Sequence, residues 1–122
     1  MSLSNFRRSF QDAYRGLVYT FRYELSFRIQ SILAALALFL AFYFPLRLYE
    51  RVVIILVVAL VLVLELINSV VERMTDLFKP RIVSAAKIIK DIMAGAVLLA
   101  AIVAAVTGWI IFYPQFRNLF IR

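Results

Sequence analysis

The sequence of 122 residues contains no cysteine and no histidine, and only three glycines and three prolines. Without cysteine there are no disulfides and no thiol nucleophile, and without either residue there is no Cys/His zinc site and no histidine base. The few glycines and prolines indicate one compact unit of helices over residues 1–122. Any chemistry must therefore use carboxylates, lysine, arginine, amides and hydroxyls, and any metal should be a hard cation such as Mg²⁺.

Charged residues are also scarce, at 17% of the chain, whereas 65% of the residues are hydrophobic. Soluble domains average about 25% charged and about 45–50% apolar residues. A soluble domain of this length buries only about two-thirds of the surface of its unfolded chain, so the apolar excess must face a lipid bilayer. A soluble enzyme, a disordered protein and a nucleic-acid-binding domain are excluded, and the net charge of +7 is expected to set membrane topology and to bind anionic groups.

Three long apolar stretches predict transmembrane helices, because a spanning helix needs about 20 residues. They are residues 29–46, 50–73 and 90–113. Residues 5–23 precede them and predict an amphipathic helix, with Ser4 expected as its N-cap. One face of that helix carries the apolar side chains Phe6, Phe10, Ala13, Leu17 and Phe21. The fold class is therefore an all-α membrane protein, in which the first helix lies in the membrane surface or serves only as an anchor.

The basic residues are distributed unevenly between the two sides of the membrane. The segment up to Arg28 and the loop between the second and third spans hold five Lys/Arg each, whereas the first loop and the C-terminal segment hold two each. The second loop includes Lys79 and Arg81. Positive residues accumulate on the cytoplasmic side, so we expect a cytoplasmic N-terminus and an external C-terminus.

Five of the seven acidic residues converge on the cytoplasmic end of this predicted bundle. They are Glu24, Glu65, Glu72, Asp76 and Asp91. A polar row (Glu65, Asn68, Glu72 and Asp76, at i, i+3, i+7 and i+11) lines one helix face over about 16 Å. A carboxylate deep in a membrane costs roughly 2.5–3.5 kcal/mol, so it is normally functional or paired. The row favours a functional site, and the alternative is a structural polar seam between helices.

A second cluster, formed by Lys87, Lys90 and Asp91, comes just before the third span. Two lysines beside a carboxylate at a membrane edge suit a nucleotide phosphate held together with a metal ion. The alternative is a set of lysines that only snorkel to the interface and fix topology. The chain contains no Walker-type loop and no G-x-G-x-x-G loop.

Three motifs resemble those of the small integral-membrane lipid kinases of prokaryotes, the diacylglycerol kinase and undecaprenol kinase family. The segment Glu65-Leu-Ile-Asn68-Ser-Val-Val-Glu72-Arg-Met-Thr-Asp76 resembles the signature E-x-x-N-S/T-x-x-E-x-x-x-D. The segment Ala86-Lys87-Ile-Ile-Lys90-Asp91-Ile-Met-Ala-Gly95-Ala96-Val97 resembles A-K-x-x-K-D-x-x-A-G-A-V, and Glu24-Leu-Ser-Phe27-Arg28 resembles E-x-x-F-R/Q. The resemblance covers nearly the whole chain with order and spacing preserved.

The resemblance implies an ATP-dependent kinase that phosphorylates the hydroxyl of a membrane lipid alcohol at the cytoplasmic face of a bacterial inner membrane. It implies a homotrimeric bundle, with active sites shared between neighbouring subunits. By position in these motifs, Glu24 and Glu72 would hold Mg²⁺ and Glu65 would be the general base. The expected ATP-binding residues are Arg8, Arg15, Asn68, Asp76, Lys90 and Asp91.

The identity of the lipid acceptor depends on finer features of the same motifs. The pattern around Lys90, Asp91 and Gly95 is closer to the undecaprenol kinase branch, so undecaprenol is the favoured acceptor. Gln30, Arg73 and Met74 depart from the family pattern, which bears on acceptor choice. The alternatives are a diacylglycerol kinase that makes phosphatidic acid, a small proton-coupled transporter with Glu65 as its proton site, and a noncatalytic membrane assembly subunit.

Overall fold

A computed structural model describes residues 2–77 and 83–121, and this part of the chain folds into four α-helices. They are α1 (Leu3–Tyr23), α2 (Leu25–Tyr43), α3 (Leu48–Leu77) and α4 (Val83–Ile121). The last three are long and apolar enough to cross a membrane. The predicted all-α membrane fold is thus confirmed, while Lys79 and Arg81 of the second loop lie outside the described residues.

The apolar helices differ in their bounds from the stretches predicted as spans. Helix α2 ends at Tyr43, short of residue 46, because Pro45 confines Phe44 to an extended backbone with φ −79° and ψ 150°. Helices α3 and α4 extend well beyond their apolar runs at one or both ends. The apolar run measures the part inside the hydrocarbon, whereas a helix continues into the headgroup region where its polar residues are solvated.

Helix α1 begins at Leu3, two residues earlier than expected. The hydroxyl of Ser2, not that of Ser4, accepts the backbone N–H of Asn5 at 3.3 Å. The predicted N-cap at Ser4 is therefore wrong, because Ser4 already lies inside the first turn, where its hydroxyl is 2.9 Å from that of Ser2. Of the side chains in α1 only Thr20 is buried, and its hydroxyl donates to the carbonyl oxygen of Gly16.

A single residue, Glu24, separates α1 from α2. Its backbone is extended, with φ −111° and ψ 107°, so the chain changes direction there. The Arg28 side chain reaches back and donates to the carbonyl oxygens of Phe21 and Arg22 at 3.1 and 2.6 Å. These carbonyls lack partners within α1, so Arg28 completes the end of that helix. The junction fixes where the Glu24 carboxylate points.

The turn between α2 and α3 is closed in a comparable way. Arg51 donates to the carbonyl oxygens of Ala41 and Phe44 at 2.9 and 3.1 Å. Glu50, in the first turn of α3, accepts the backbone N–H of Arg47 at 3.0 Å. The main cluster of buried apolar side chains lies at this end of the bundle and consists of Ala41, Phe44, Leu46, Ile54, Ile111 and Phe112.

Helix α3 is the central helix, since it packs against both α2 and α4, and α1 packs on α2. Only 17–22% of the residues in the most apolar window of each span are buried. Most apolar side chains of the spans therefore face outward, where lipid or another subunit would cover them. The polar row lies on the central helix, at the end opposite the α2–α3 turn.

Candidate functional site

Glu65 is the deepest acidic residue and is almost completely buried, with 3% of its surface exposed. Its two carboxylate oxygens lie 3.0 Å from the hydroxyl of Ser26, in the first turns of α2. Helix α2 starts directly after the junction at Glu24 and so brings Ser26, its second residue, against α3. A carboxylate within hydrogen-bond distance of a hydroxyl is the geometry a general base needs.

Glu24 turns toward α3 from the junction of α1 and α2. It accepts a hydrogen bond from the Ser69 hydroxyl at 3.3 Å and forms an ion pair with Arg73 at 3.0 Å. The Arg73 guanidinium also lies over the ring of Tyr19, 4.7 Å from its centroid. This arrangement brings the first of the predicted metal-binding residues to the helix that carries the second, Glu72.

Glu72 accepts a hydrogen bond from the Asn68 side-chain amide at 3.3 Å, so these two members of the polar row are in contact. Ser69 and Arg73, which contact Glu24, flank Glu72 along the same helix. The described residues include no group of three or more acidic side chains that could hold a metal by itself. Mg²⁺ is usually bound through one or two carboxylates together with substrate phosphates. The donor set therefore fits a cation that arrives with a nucleotide.

The exposed end of the polar row is connected to α4. Asp76 and Lys90 form an ion pair at 2.6 Å that links α3 to α4. On the same end of α4, Lys87 and Asp91 form a pair at 2.9 Å, and both side chains are largely exposed. The second sequence cluster therefore lies beside the first, with exposed charges of both signs.

Two predicted site residues on α1 remain apart from this cluster. Arg15 pairs with Asp12 at 3.7 Å, within α1 itself, and both side chains are exposed. Arg8 is exposed and lines a shallow surface depression together with neighbouring residues of the same helix. No ion pair or hydrogen bond among the described residues links either arginine to the polar row. Their contribution to ATP binding stays a prediction.

An apolar cavity of about 290 Å³ lies between α2, α3 and α4. Gln30 is its polar lining residue, and most of the rest of its lining is alanine and valine. Gln30 follows Ser26 by one helical turn, and Val61, also in the lining, precedes Glu65 by one turn. The contact between Ser26 and Glu65 therefore lies next to one end of this cavity.

Sequence reasoning missed Ser26, Arg73 and Tyr19 as parts of the site. Arg73 follows Glu65 by eight residues, which is a periodic signal for a shared face on α3. Ser26 and Tyr19 come close to α3 only through the packing of different helices, and periodicity within one helix carries no such information.

Comparisons with known proteins cover most of the chain. The family model for prokaryotic diacylglycerol kinase matches residues 11–112. An undecaprenol kinase of Bacillus subtilis is 34% identical over 113 residues, which are 93% of this chain and 92% of that protein. A diacylglycerol kinase of Synechocystis is 35% identical over 114 residues, or 93% of this chain and 65% of that protein. A diacylglycerol kinase of Escherichia coli K12 is 30% identical over 104 residues, or 85% of each chain.

Proposed function

This chain belongs to the prokaryotic diacylglycerol kinase family of membrane lipid kinases, and from that premise we propose that it transfers the γ-phosphoryl group of ATP to the hydroxyl of a membrane lipid alcohol. The observation that carries the proposal is the position of Glu65. Its buried carboxylate lies within hydrogen-bond distance of a hydroxyl, beside an apolar cavity and at the inner end of a polar row. Such a site suits a reaction between an acceptor in the lipid and a phosphate at the surface.

We propose that Glu65 accepts the proton of the lipid hydroxyl as its oxygen attacks the γ-phosphorus and ADP leaves. Glu24 and Glu72 would hold Mg²⁺, which when bound neutralises charge on the phosphates. Asn68 orients Glu72 through its amide, as their hydrogen bond at 3.3 Å indicates. Glu65 and Glu72 are seven residues apart on one helix face, so acceptor and phosphate meet along α3.

The nucleotide would lie at the exposed end of the row. Lys90 is placed there by its pair with Asp76, and its ammonium group suits a phosphate oxygen. Asp91 is in the next position of α4 and is largely exposed. We assign these three residues to ATP binding, with Arg8 and Arg15 as further basic contacts from α1.

Undecaprenol is the acceptor we favour over diacylglycerol. The relative named undecaprenol kinase matches this chain over nearly the full length of both proteins. The two acceptors differ in shape, since undecaprenol carries one long prenyl chain and diacylglycerol carries two acyl chains on a glycerol. The apolar cavity next to the contact of Ser26 with Glu65 supports an apolar acceptor chain at this place.

We further propose a homotrimer in a bacterial inner membrane, with a cytoplasmic N-terminus and an external C-terminus. The low burial within the spans supports further helix contacts in an assembly. The excess of Lys/Arg in the N-terminal segment and second loop supports the orientation.

The deciding experiment is a radiolabelled-ATP assay on the purified protein in mixed micelles. Undecaprenol and a diacylglycerol are compared at equal mole fraction, with and without Mg²⁺. We expect Mg²⁺-dependent label in undecaprenyl phosphate, well above the label in phosphatidic acid. A reversed preference would make the chain a diacylglycerol kinase. No label in either lipid from folded protein would overturn the kinase assignment and favour a proton-coupled transporter.

The role of Glu65 is tested in the same assay by Glu65→Gln. We expect turnover to fall by at least about 100-fold, the contribution typical of a general base, with MgATP binding largely retained. Glu50→Gln is the matched control, because Glu50 lies on the same helix but contacts only the α2–α3 turn. Full activity of Glu65→Gln would refute the assignment of the base.

A further inference from the structure

We propose that the Ser26 hydroxyl occupies the position of the acceptor hydroxyl beside Glu65, so that a lipid alcohol must displace it before reaction. This inference rests on the proposed function, in which Glu65 is the general base. Ser26 is then a positioning residue that keeps the base in place until the substrate arrives.

The geometry of the contact supports this role. A hydroxyl that is to lose its proton to a carboxylate must approach within about 2.6–3.2 Å of it. The Ser26 oxygen lies 3.0 Å from both Glu65 oxygens. Glu65 is buried whereas Ser26 is exposed, so the serine covers the carboxylate on its outer side. No acceptor hydroxyl can approach from that side unless the serine hydroxyl moves.

Exchange of one hydroxyl for another keeps the buried carboxylate satisfied. A serine hydroxyl has one proton and can donate it to only one oxygen at a time, as can a lipid alcohol. A buried carboxylate without a hydrogen-bond donor is costly. The hydrogen bond from Ser26 to Glu65 is therefore lost at little cost only when another molecule donates a hydrogen bond in its place. The contact therefore selects for lipids with a free hydroxyl and against those in which the hydroxyl is already esterified.

The neighbouring cavity gives the acceptor chain a place to lie during this exchange. Gln30 and Val61 line the cavity and are each one helical turn from Ser26 and Glu65, respectively. A lipid chain that lies in the cavity brings its terminal hydroxyl to the contact between Ser26 and Glu65.

The experiment compares Ser26→Ala, Ser26→Thr and the control Ser31→Ala in the full-length protein. Ser31 lies on α2 and its hydroxyl does not contact Glu65. The KM for undecaprenol and kcat are measured in mixed micelles at saturating MgATP. We expect the KM of Ser26→Ala to fall about tenfold, because the acceptor no longer displaces a hydrogen bond to a charged group. We expect kcat to change less, and Ser26→Thr, which keeps the hydroxyl, to restore the original KM.

A measurement without ATP separates this role from a merely structural one. Thermal unfolding is followed with and without undecaprenol, and the lipid should raise the Tm of Ser26→Ala more than that of the unmodified protein or of Ser31→Ala. In a Glu65→Gln background the effect of Ser26→Ala on lipid binding should largely disappear. An unchanged or higher KM for Ser26→Ala, or equal lipid responses of Ser26→Ala and Ser31→Ala, would overturn the inference.

Failure of the inference is distinguishable from failure of the proposed function. If Glu65→Gln abolishes turnover while Ser26→Ala behaves like Ser31→Ala, the base stands and the displacement is refuted. If Glu65→Gln retains full activity, the base assignment fails, and the displacement is refuted with it.

Discussion

At the scale of single residues, each carboxylate assigned to the reaction has a partner within the chain. The pairs are Glu65 with Ser26, Glu24 with Arg73, Glu72 with Asn68, Asp76 with Lys90, and Asp91 with Lys87. Arg73 is the notable partner, because its guanidinium binds the Glu24 carboxylate and would compete with the Mg²⁺ that we propose for Glu24. Both side chains of this pair are partly exposed, at 47% and 27%, so the pair contributes at most about 1 kcal/mol.

Replacing Arg73 should therefore free Glu24 for metal. We expect Arg73→Gln to lower the Mg²⁺ concentration for half-maximal activity about two- to fivefold, in line with the small energy of the pair. Binding of Mn²⁺ without nucleotide, followed by electron paramagnetic resonance, should tighten by a similar factor. Arg117→Gln, far along α4, is the control. Weaker Mn²⁺ binding by Arg73→Gln would contradict this account.

Glu72 and Glu65 should respond differently to loss of charge. Glu72→Gln removes a charged metal ligand, so we expect Mg²⁺-dependent nucleotide binding to weaken about tenfold or more. Glu65→Gln should leave that binding within about twofold, since Glu65 contacts a hydroxyl of α2 and not the row's exposed end. Titration of a fluorescent ATP analogue with and without Mg²⁺ measures both. Equal losses in the two variants would show that the division of roles is wrong.

The polar row itself could be predicted from the sequence, because the spacing of Glu65, Asn68 and Glu72 follows the helical period. The contact of Asn68 with Glu72 follows directly from that period. The partners from other helices could not be predicted, since the rotation of α2 about its axis decides whether Ser26 or its neighbour meets Glu65. That rotation depends on the packing of many apolar side chains at once.

At the scale of helices, the C-terminal ends of α1 and α2 are stabilised by arginine side chains that donate hydrogen bonds to carbonyl oxygens. Arg28 does this for α1, and Arg51 does it for α2. The long apolar runs predicted the three spans and the amphipathic pattern predicted α1. The exact ends of α1 and α2 could not be predicted, because nothing in the sequence shows that these arginines bind helix carbonyls. Pro45 is an end signal that the sequence does contain, because a proline disfavours the helical backbone of the residue before it.

Arg51 should stabilise the α2–α3 turn. Arg51→Met removes two hydrogen bonds to carbonyl oxygens, and we expect it to lower the free energy of unfolding by about 2 kcal/mol. Thermal unfolding in micelles should show a Tm several degrees lower. Arg47→Met serves as the control, because Arg47 takes part in the turn through its backbone N–H. Equal Tm values for the two variants would show that the Arg51 bonds contribute nothing.

At the scale of the whole molecule, the spans expose most of their apolar side chains. Lipid can cover such a surface, but it cannot enclose a phosphoryl-transfer site against water. Neighbouring subunits would provide that enclosure, which is the physical reason for the proposed trimer. The amount of apolar surface could be predicted from the sequence. Which helix faces would meet between subunits could not, because that depends on the three-dimensional shape of those faces.

If the trimer's sites are shared so that Glu65 and Lys90 of one site come from neighbouring subunits, two inactive variants should complement each other. We expect Glu65→Gln subunits and Lys90→Met subunits, refolded together, to regain a measurable fraction of lipid kinase activity. Each variant refolded alone is the control. Chemical cross-linking of the same samples should give a trimer band. No recovery in trimers that demonstrably contain both subunits would place each site within one chain.

The closed turn between α2 and α3 has a consequence for biosynthesis. Backbone carbonyls without partners resist transfer into hydrocarbon, and Arg51 pairs two of those at the end of α2, the carbonyls of Ala41 and Phe44. Buried apolar side chains from α2, the turn and α3 lie together there. The two helices thus form a hairpin whose turn is closed by contacts within the chain, so we expect α2 and α3 to insert into the bilayer together.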